Sequence, residues 1–278
     1  MGGAFVAVAD DSTATWWNPA GLAAGPFLDL ALGRATTDTS DGELGHTSAS
    51  WVALGTPPFG LSYYRLRVNE IEPSGATAQG PVDREEDEGT IRTTEPRSVS
   101  QVGATFVHTL VSGVHVGTTL KYLRGTTVQT GETHGAFDFD AGVLAVRGPI
   151  RVGGVVRNVQ ETEVGAMALS RQVRVGAAFS AAEAGLWPVT VAVDADVRAY
   201  RTASGDRRVV AVGGEGWMWT RRVAVRAGAR FNTVGAEERA LTAGATVAIR
   251  SGLYVDGHVV RGGARDERGW GVAARVSF

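Results

Sequence analysis

Residues 189–200 read Val189-Thr190-Val191-Ala192-Val193-Asp194-Ala195-Asp196-Val197-Arg198-Ala199-Tyr200. In an extended chain, Val189, Val191, Val193, Ala195, Val197 and Ala199 share one face, while Asp194, Asp196, Arg198 and Tyr200 share the other. A helix would scatter these side chains around its circumference, whereas a strand sorts them onto two faces. The same period of two runs through residues 222–231, where Val223, Val225, Ala227, Ala229 and Phe231 oppose Arg222, Arg226 and Arg230. Residues 137–145 repeat it, with Phe137, Phe139, Ala141, Val143 and Ala145 opposing Asp138 and Asp140. Valine, threonine and aromatic residues suit strands.

Extending this reading places strands near 27–34, 46–54, 59–67, 98–109, 114–124, 136–146, 150–158, 171–180, 188–200, 207–219, 222–231, 239–249, 253–260 and 269–278. That is about fourteen, an even number, as single-chain outer-membrane barrels of bacteria have. The connections alternate long and short: 35–45 is long and 55–58 short, 68–97 very long and 110–113 short, 125–135 long and 147–149 short. Short turns on one rim and longer loops on the other belong to that same architecture. Several strands approach ten residues, the span of a tilted membrane-crossing strand. The last alternates Trp270, Val272, Ala274, Val276 and Phe278 against Gly271, Ala273, Arg275 and Ser277. The expected fold is all-β, a transmembrane antiparallel β-barrel of about 14 strands.

Composition agrees by exclusion. Of 278 residues, 44% are hydrophobic and 20% charged, so the chain can bury a core. The absence of cysteine removes disulfides, thiolate metal sites and cysteine nucleophiles. A net charge of −2 gives no support to nucleic acid as a partner. No apolar run reaches the ~20 residues of a spanning helix.

The first 26 residues break the pattern. Asp10, Asp11 or Ser12 is placed to cap a short helix through Trp17, which Asn18-Pro19 ends. Asn18 can in turn cap a second helical turn opened by Pro19. The stretch from Gly2 to Asp11, followed by Trp17-Asn18-Pro19-Ala20-Gly21-Leu22-Ala23, resembles the N-terminal signature of the FadL-type outer-membrane transport proteins, a superfamily that includes PorV- and PorQ-like barrels. Looser matches lie at 103–110, 117–124, 138–142 and 155–158. The resemblance implies fourteen strands and an N-terminal hatch inside the lumen: residues 1–26 as hatch carrying Asn18, Pro19 and Ala20, and residues 27–278 as barrel. It implies passive uptake of fatty-acid-like hydrophobic molecules, or the binding of secreted or partner proteins. It places the chain in the bacterial outer membrane, among its lipid, with Phe278 as the signal for barrel-assembly machinery. The chain is shorter than the fatty-acid transporters, and no signal peptide precedes Gly2.

The polar strand faces would then line the lumen with Asp138, Asp140, Arg174, Asp194, Asp196, Arg198, Glu215, Arg226, Arg230, Asp256 and His258. Facing acids and arginines are expected to pair, and Arg226 or Arg230 is placed to meet the carboxylate of an apolar small-molecule ligand. None of the five histidines has metal-ligand spacing, so no metal and no cofactor are expected. Nothing points to an enzyme. The run Asp83-Arg84-Glu85-Glu86-Asp87-Glu88 falls in the longest loop, where a protein partner could dock at 68–97. Trp217, Trp219, Trp270, Tyr122 and Tyr200 fall near strand ends, where interfacial aromatics belong. A soluble β-protein is the remaining alternative.

Overall fold

The computed structural model describes residues 1–39, 44–71, 94–127, 133–164, 167–202, 205–235, 237–263 and 267–278. Fourteen strands close into one antiparallel barrel. We number them β1 (Asp29–Asp38), β2 (Leu44–Thr56), β3 (Phe59–Ile71), β4 (Thr94–Val111), β5 (Val114–Thr127), β6 (Thr133–Arg147) and β7 (Ile150–Arg157). The second half comprises β8 (Gln172–Ser180), β9 (Val189–Asp196), β10 (Val209–Met218), β11 (Val223–Asn232), β12 (Arg239–Arg250), β13 (Leu253–Gly262) and β14 (Arg268–Ser277). Each pairs with its sequence neighbours, and β14 closes on β1 in a register running from Asp29 opposite Ser277 to Asp38 opposite Arg268. Phe278 extends the seam: its N–H donates to the Leu28 carbonyl, and the Leu28 N–H donates back. Closure gives each of the fourteen barrel strands a hydrogen-bonded neighbour on both sides.

The alternation decides which way each side chain points. Leu32, Leu61, Val102, Leu120, Phe137, Val152, Val191, Val225, Leu241 and Trp270 are exposed on the outside. Asp138, Asp140, Asp194, Asp196, Thr119, Lys121 and Thr246 are buried on the inside. An apolar exterior around a polar interior is the arrangement of a barrel standing in lipid. No helix among the described residues is long and apolar enough to cross a membrane.

The expected strand at 188–200 ends earlier, at Asp196. The Val197 N–H still reaches the Val173 carbonyl. The chain then leaves the wall and pairs Tyr200–Thr202 with Gly205–Arg207 in a small hairpin of its own. Arg198 therefore lies in this connection, half-exposed and 3.9 Å from Glu161, and not on the lumen wall. A second small hairpin pairs Glu163–Val164 with Met167–Ala168. The acidic run 83–88 lies outside the described residues.

The N-terminal residues pack against inward-facing residues of several strands, among them Asp29, Gly117, Gly142 and Asp194. A four-residue helix, α1 (Ala14–Trp17), is followed by a 3-10 turn at Pro19–Ala24. Thr13 occupies the cap position of α1 but makes no side-chain cap bond; its own N–H and hydroxyl go to Asp11 Oδ1. Asn18 caps the second turn, its Oδ1 accepting from the Ala20 N–H at 3.2 Å.

Candidate functional site

The contact between this inner segment and the wall is the most heavily built part of the molecule. Asn18 is fully buried. Its Nδ2 donates to the Val6 carbonyl at 2.8 Å and to the Val143 carbonyl of β6 at 3.0 Å. It thus ties the segment to itself and to the barrel. The wall admits this only where it carries no side chain. A Cβ at Gly142 would stand 2.0 Å from Asn18 Oδ1, and one at Gly117 of β5 would stand 2.5 Å from the Pro19 carbonyl carbon. Leu22 fills the corner against Gly55 of β2 and Gly60 of β3.

Charged groups hold the segment from several sides. Asp194 on β9 accepts the Phe5 and Val6 N–H groups at 2.7 and 2.9 Å. Asp29 at the start of β1 accepts the Ser12 N–H and hydroxyl. Asp10 pairs with Arg151 of β7 at 2.8 Å, and Asp11 with Arg275 of β14 at 2.6 Å. Burial pushes the Asp10 carboxyl above its ordinary range, outweighing the downward pull of the Arg151 guanidinium. Arg157 at the end of β7 lies against both Trp16 and Trp17, 5.3 and 5.5 Å from the ring centres, and donates to the Trp17 carbonyl. Trp17 also packs on Phe5, and Trp16 on Tyr64.

The remaining lumen charges are neutralised locally. On β5–β6, Lys121 is buried and donates to Asp140 at 2.6 Å and to Asn158 Oδ1 at 2.7 Å. Asp140 also receives the Asn158 N–H, and Asp138 the Phe139 and Gln160 N–H groups, which anchors the chain leaving β7. Arg174 bonds Asp196, whose other oxygen accepts the Val209 N–H at 2.8 Å. On β10–β13, Arg226 is held between Glu215 and Asp256, with Thr246 beside them. Arg230 is paired with Glu267. His258 shares the inner face of β13 with Asp256.

Ten of the eleven lumen candidates therefore stand on the inner wall; Arg198 does not. Sequence reasoning passed over Arg151, Arg157 and Lys121, and counted Arg275 only as part of a polar face. All four sit on the inward parity of their strands, so alternation alone marks them. Lys121 finds Asp140 across the β5–β6 hairpin, 19 residues away, whereas Arg275 finds Asp11, 264 residues away, only when the barrel closes.

A cavity of about 580 Å³ runs beside the inner segment. It is bordered by Phe5, Val8 and Trp17 of the segment, by Trp51 and Trp217, and by the ion-paired arginines 151, 226, 230 and 275. At the short-turn end Glu183 and Arg221 border it.

The fold is that of the FadL-type barrels. The toluene transporter TbuX of Ralstonia pickettii superposes with a TM-score of 0.69 at 13% identity, over 98% of this chain and 95% of that one. A FadL homologue of Pseudomonas aeruginosa gives 0.67 at 9% identity, over 99% and 96%. The monoaromatic hydrocarbon channel CymD gives 0.68 at 11%, over 98% and 94%. No protein-family model matches the sequence, and neither does any curated protein.

Proposed function

We propose that this chain is an outer-membrane barrel for the passive uptake of hydrophobic small molecules, with residues 1–26 as its hatch and the Asn18-Pro19-Ala20 motif as the hatch's anchor. The observation that carries the reading is a closed fourteen-strand barrel with a cavity bordered both by N-terminal residues and by inward-facing residues of the wall. The named neighbours, a toluene transporter and a monoaromatic hydrocarbon channel, support an apolar cargo.

The cavity's ion pairs favour an uncharged cargo over a fatty acid. Glu215, Asp256 and Glu267 already neutralise Arg226 and Arg230, so an incoming carboxylate would meet resident acids beside each guanidinium. An uncharged aromatic ring has Phe5, Trp17, Trp51 and Trp217 to lie against. Phe278 closes the barrel seam, and its outward-facing ring is available to assembly machinery during folding.

The test is ligand-induced quenching of tryptophan fluorescence in folded protein, titrated with toluene and with octanoate, alongside toluene flux into proteoliposomes. Saturable quenching and flux with toluene, and weaker quenching with octanoate, are expected. Tighter binding of octanoate would overturn the uncharged-cargo reading. Neither binding nor flux with either compound would overturn uptake itself.

A further inference from the structure

The short-turn rim differs in charge from the opposite rim. At the long-loop end, several of the described charged side chains pair with each other: Asp38 with His46, Arg207 with Glu238, and Arg201 with Asp206. The turns of the other rim carry four exposed arginines, Arg147, Arg221, Arg222 and Arg250, against the single acid Glu183. Glu183 and Arg221 border the cavity. That leaves Arg147, Arg222 and Arg250 without a carboxylate among the described residues.

These three belong to one continuous arc. The turn after Arg147 is tied to the end of β8 by the Ser180 N–H donating to the Pro149 carbonyl at 2.8 Å. The next turn is tied to β10 by the Trp217 N–H donating to the Pro188 carbonyl at 2.9 Å. The third is tied to β12 by the Ala248 N–H donating to the Arg222 carbonyl at 2.8 Å. Between the arginines the arc presents Leu186, Trp187 and Trp219, with the two tryptophans 79% and 72% exposed. A bulge on β12 skips Ile249 and sets Arg250 opposite Leu253, on the outward parity. Arg147 faces Ile150 on the same outward parity. The turn that lifts Trp219 into solvent holds Trp219, Thr220 and Arg221 at φ of 49°, 56° and 62°. Three successive side-chain-bearing residues in the left-handed region are costly, and such strain marks positions with a task. The turns of the opposite half of this rim, at Pro57-Pro58 and Ser112-Gly113, carry no charge.

We propose that the arc formed by Arg147, Trp187, Trp219, Arg222 and Arg250 is a binding site for anionic phospholipid in the leaflet that the short turns face. The indole rings sit at the boundary of head groups and acyl chains, and the guanidinium groups take the phosphates, each donating two parallel N–H bonds to phosphate oxygens. Lipid is the occupant because exposed arginines and exposed tryptophans share the turns at the level where the barrel's apolar belt ends. A soluble anion would have no use for the tryptophans. The inference needs only a barrel standing in a membrane and is independent of what crosses it.

The experiment is native mass spectrometry of the full chain released from nanodiscs containing equal phosphatidylglycerol and phosphatidylcholine. The wild type is expected to retain phosphatidylglycerol at least fivefold over phosphatidylcholine. The triple variant Arg147→Gln/Arg222→Gln/Arg250→Gln should lose that preference, and the matching Arg→Lys triple should keep most of it. An opposite-rim control, Arg198→Gln/Arg201→Gln/Arg261→Gln, should be indistinguishable from wild type. Heat-modifiable migration on a gel reports that each variant is folded. Equal retention of both lipids by the wild type would overturn the site. So would a preference that survives the Gln triple, or one lost equally in the control.

Discussion

The two sides of the lumen treat the N-terminal segment in opposite ways. Along β5 and β6 the wall puts no side chain in the segment's way: Gly117 meets the Pro19 backbone and Gly142 the Asn18 side-chain amide. The segment's first residues also press on β11, where a Cβ at Gly228 would stand 2.4 Å from the Gly2 nitrogen, but along β12 to β14 the cavity lies between, and side chains make the contact: Thr242 accepts the Gly2 N–H and Arg275 pairs with Asp11. Close packing without side chains makes a fixed seat, because interiors at this density do not yield to an added methyl group. Side chains that reach across a water-sized gap can be rearranged at less cost. On the uptake proposed above, the difference places anchorage on one wall and passage along the other.

The largest expected effect falls on the seat. Gly117→Ala forces Cβ against the Pro19 carbonyl carbon, which neither backbone can avoid without moving. Overpacking of this kind costs about 1–3 kcal/mol. The denaturation midpoint in detergent should fall accordingly, and conductance through planar bilayers should rise as the segment loosens. An unchanged midpoint and conductance would mean that the seat is not rigid, and the contrast between the two walls would collapse.

A smaller effect is expected across the lumen. Arg226→Gln leaves Glu215 and Asp256 without their shared cation, but both face the cavity and remain partly exposed. The stability loss should be about 1 kcal/mol, as for a solvated ion pair. The clearer signature is electrostatic: residual conductance should shift toward cations, since two carboxylates then stand unneutralised in the path. A stability loss exceeding that of Gly117→Ala would reverse the assignment of seat and passage.

Much of this architecture is legible in the sequence because a barrel in lipid has a local code. Side-chain parity alone separates Val191 and Val193 from Asp194 and Asp196, and the rhythm of long and short connections gives the strand count. Parity fails where a strand ends without a breaker. Val197-Arg198-Ala199 continues the alternation beyond Asp196, yet no neighbouring strand extends far enough to pair with it, so Arg198 leaves the wall. The seat is half legible. Asn18 and Pro19 announce a turn in any context. That glycines 117 and 142 exist to receive that turn depends on contacts about a hundred residues away. Arg275 meeting Asp11 is likewise a product of closure, since β14 must return to β1 before the two can face each other.

The smallest expected effect concerns another of the segment's ties, between Asp10 and Arg151 on β7, the strand next to β6. Burial holds the Asp10 carboxyl above its ordinary value of 3.8 despite the guanidinium beside it. An acid whose folded-state pKa is raised binds its proton more readily folded than unfolded. Ionising it therefore costs stability, and the cost is present in full at neutral pH. It disappears as pH falls through the raised value toward 3.8. At this one position acidification should tighten the segment. Comparing melting of the wild type with that of Asp10→Asn cancels titrations shared by both proteins. The difference should move in favour of the wild type between pH 7 and pH 4.5. Movement in the other direction would show that the Arg151 ion pair outweighs desolvation, making that pair a true anchor and extending the seat one strand further, onto β7.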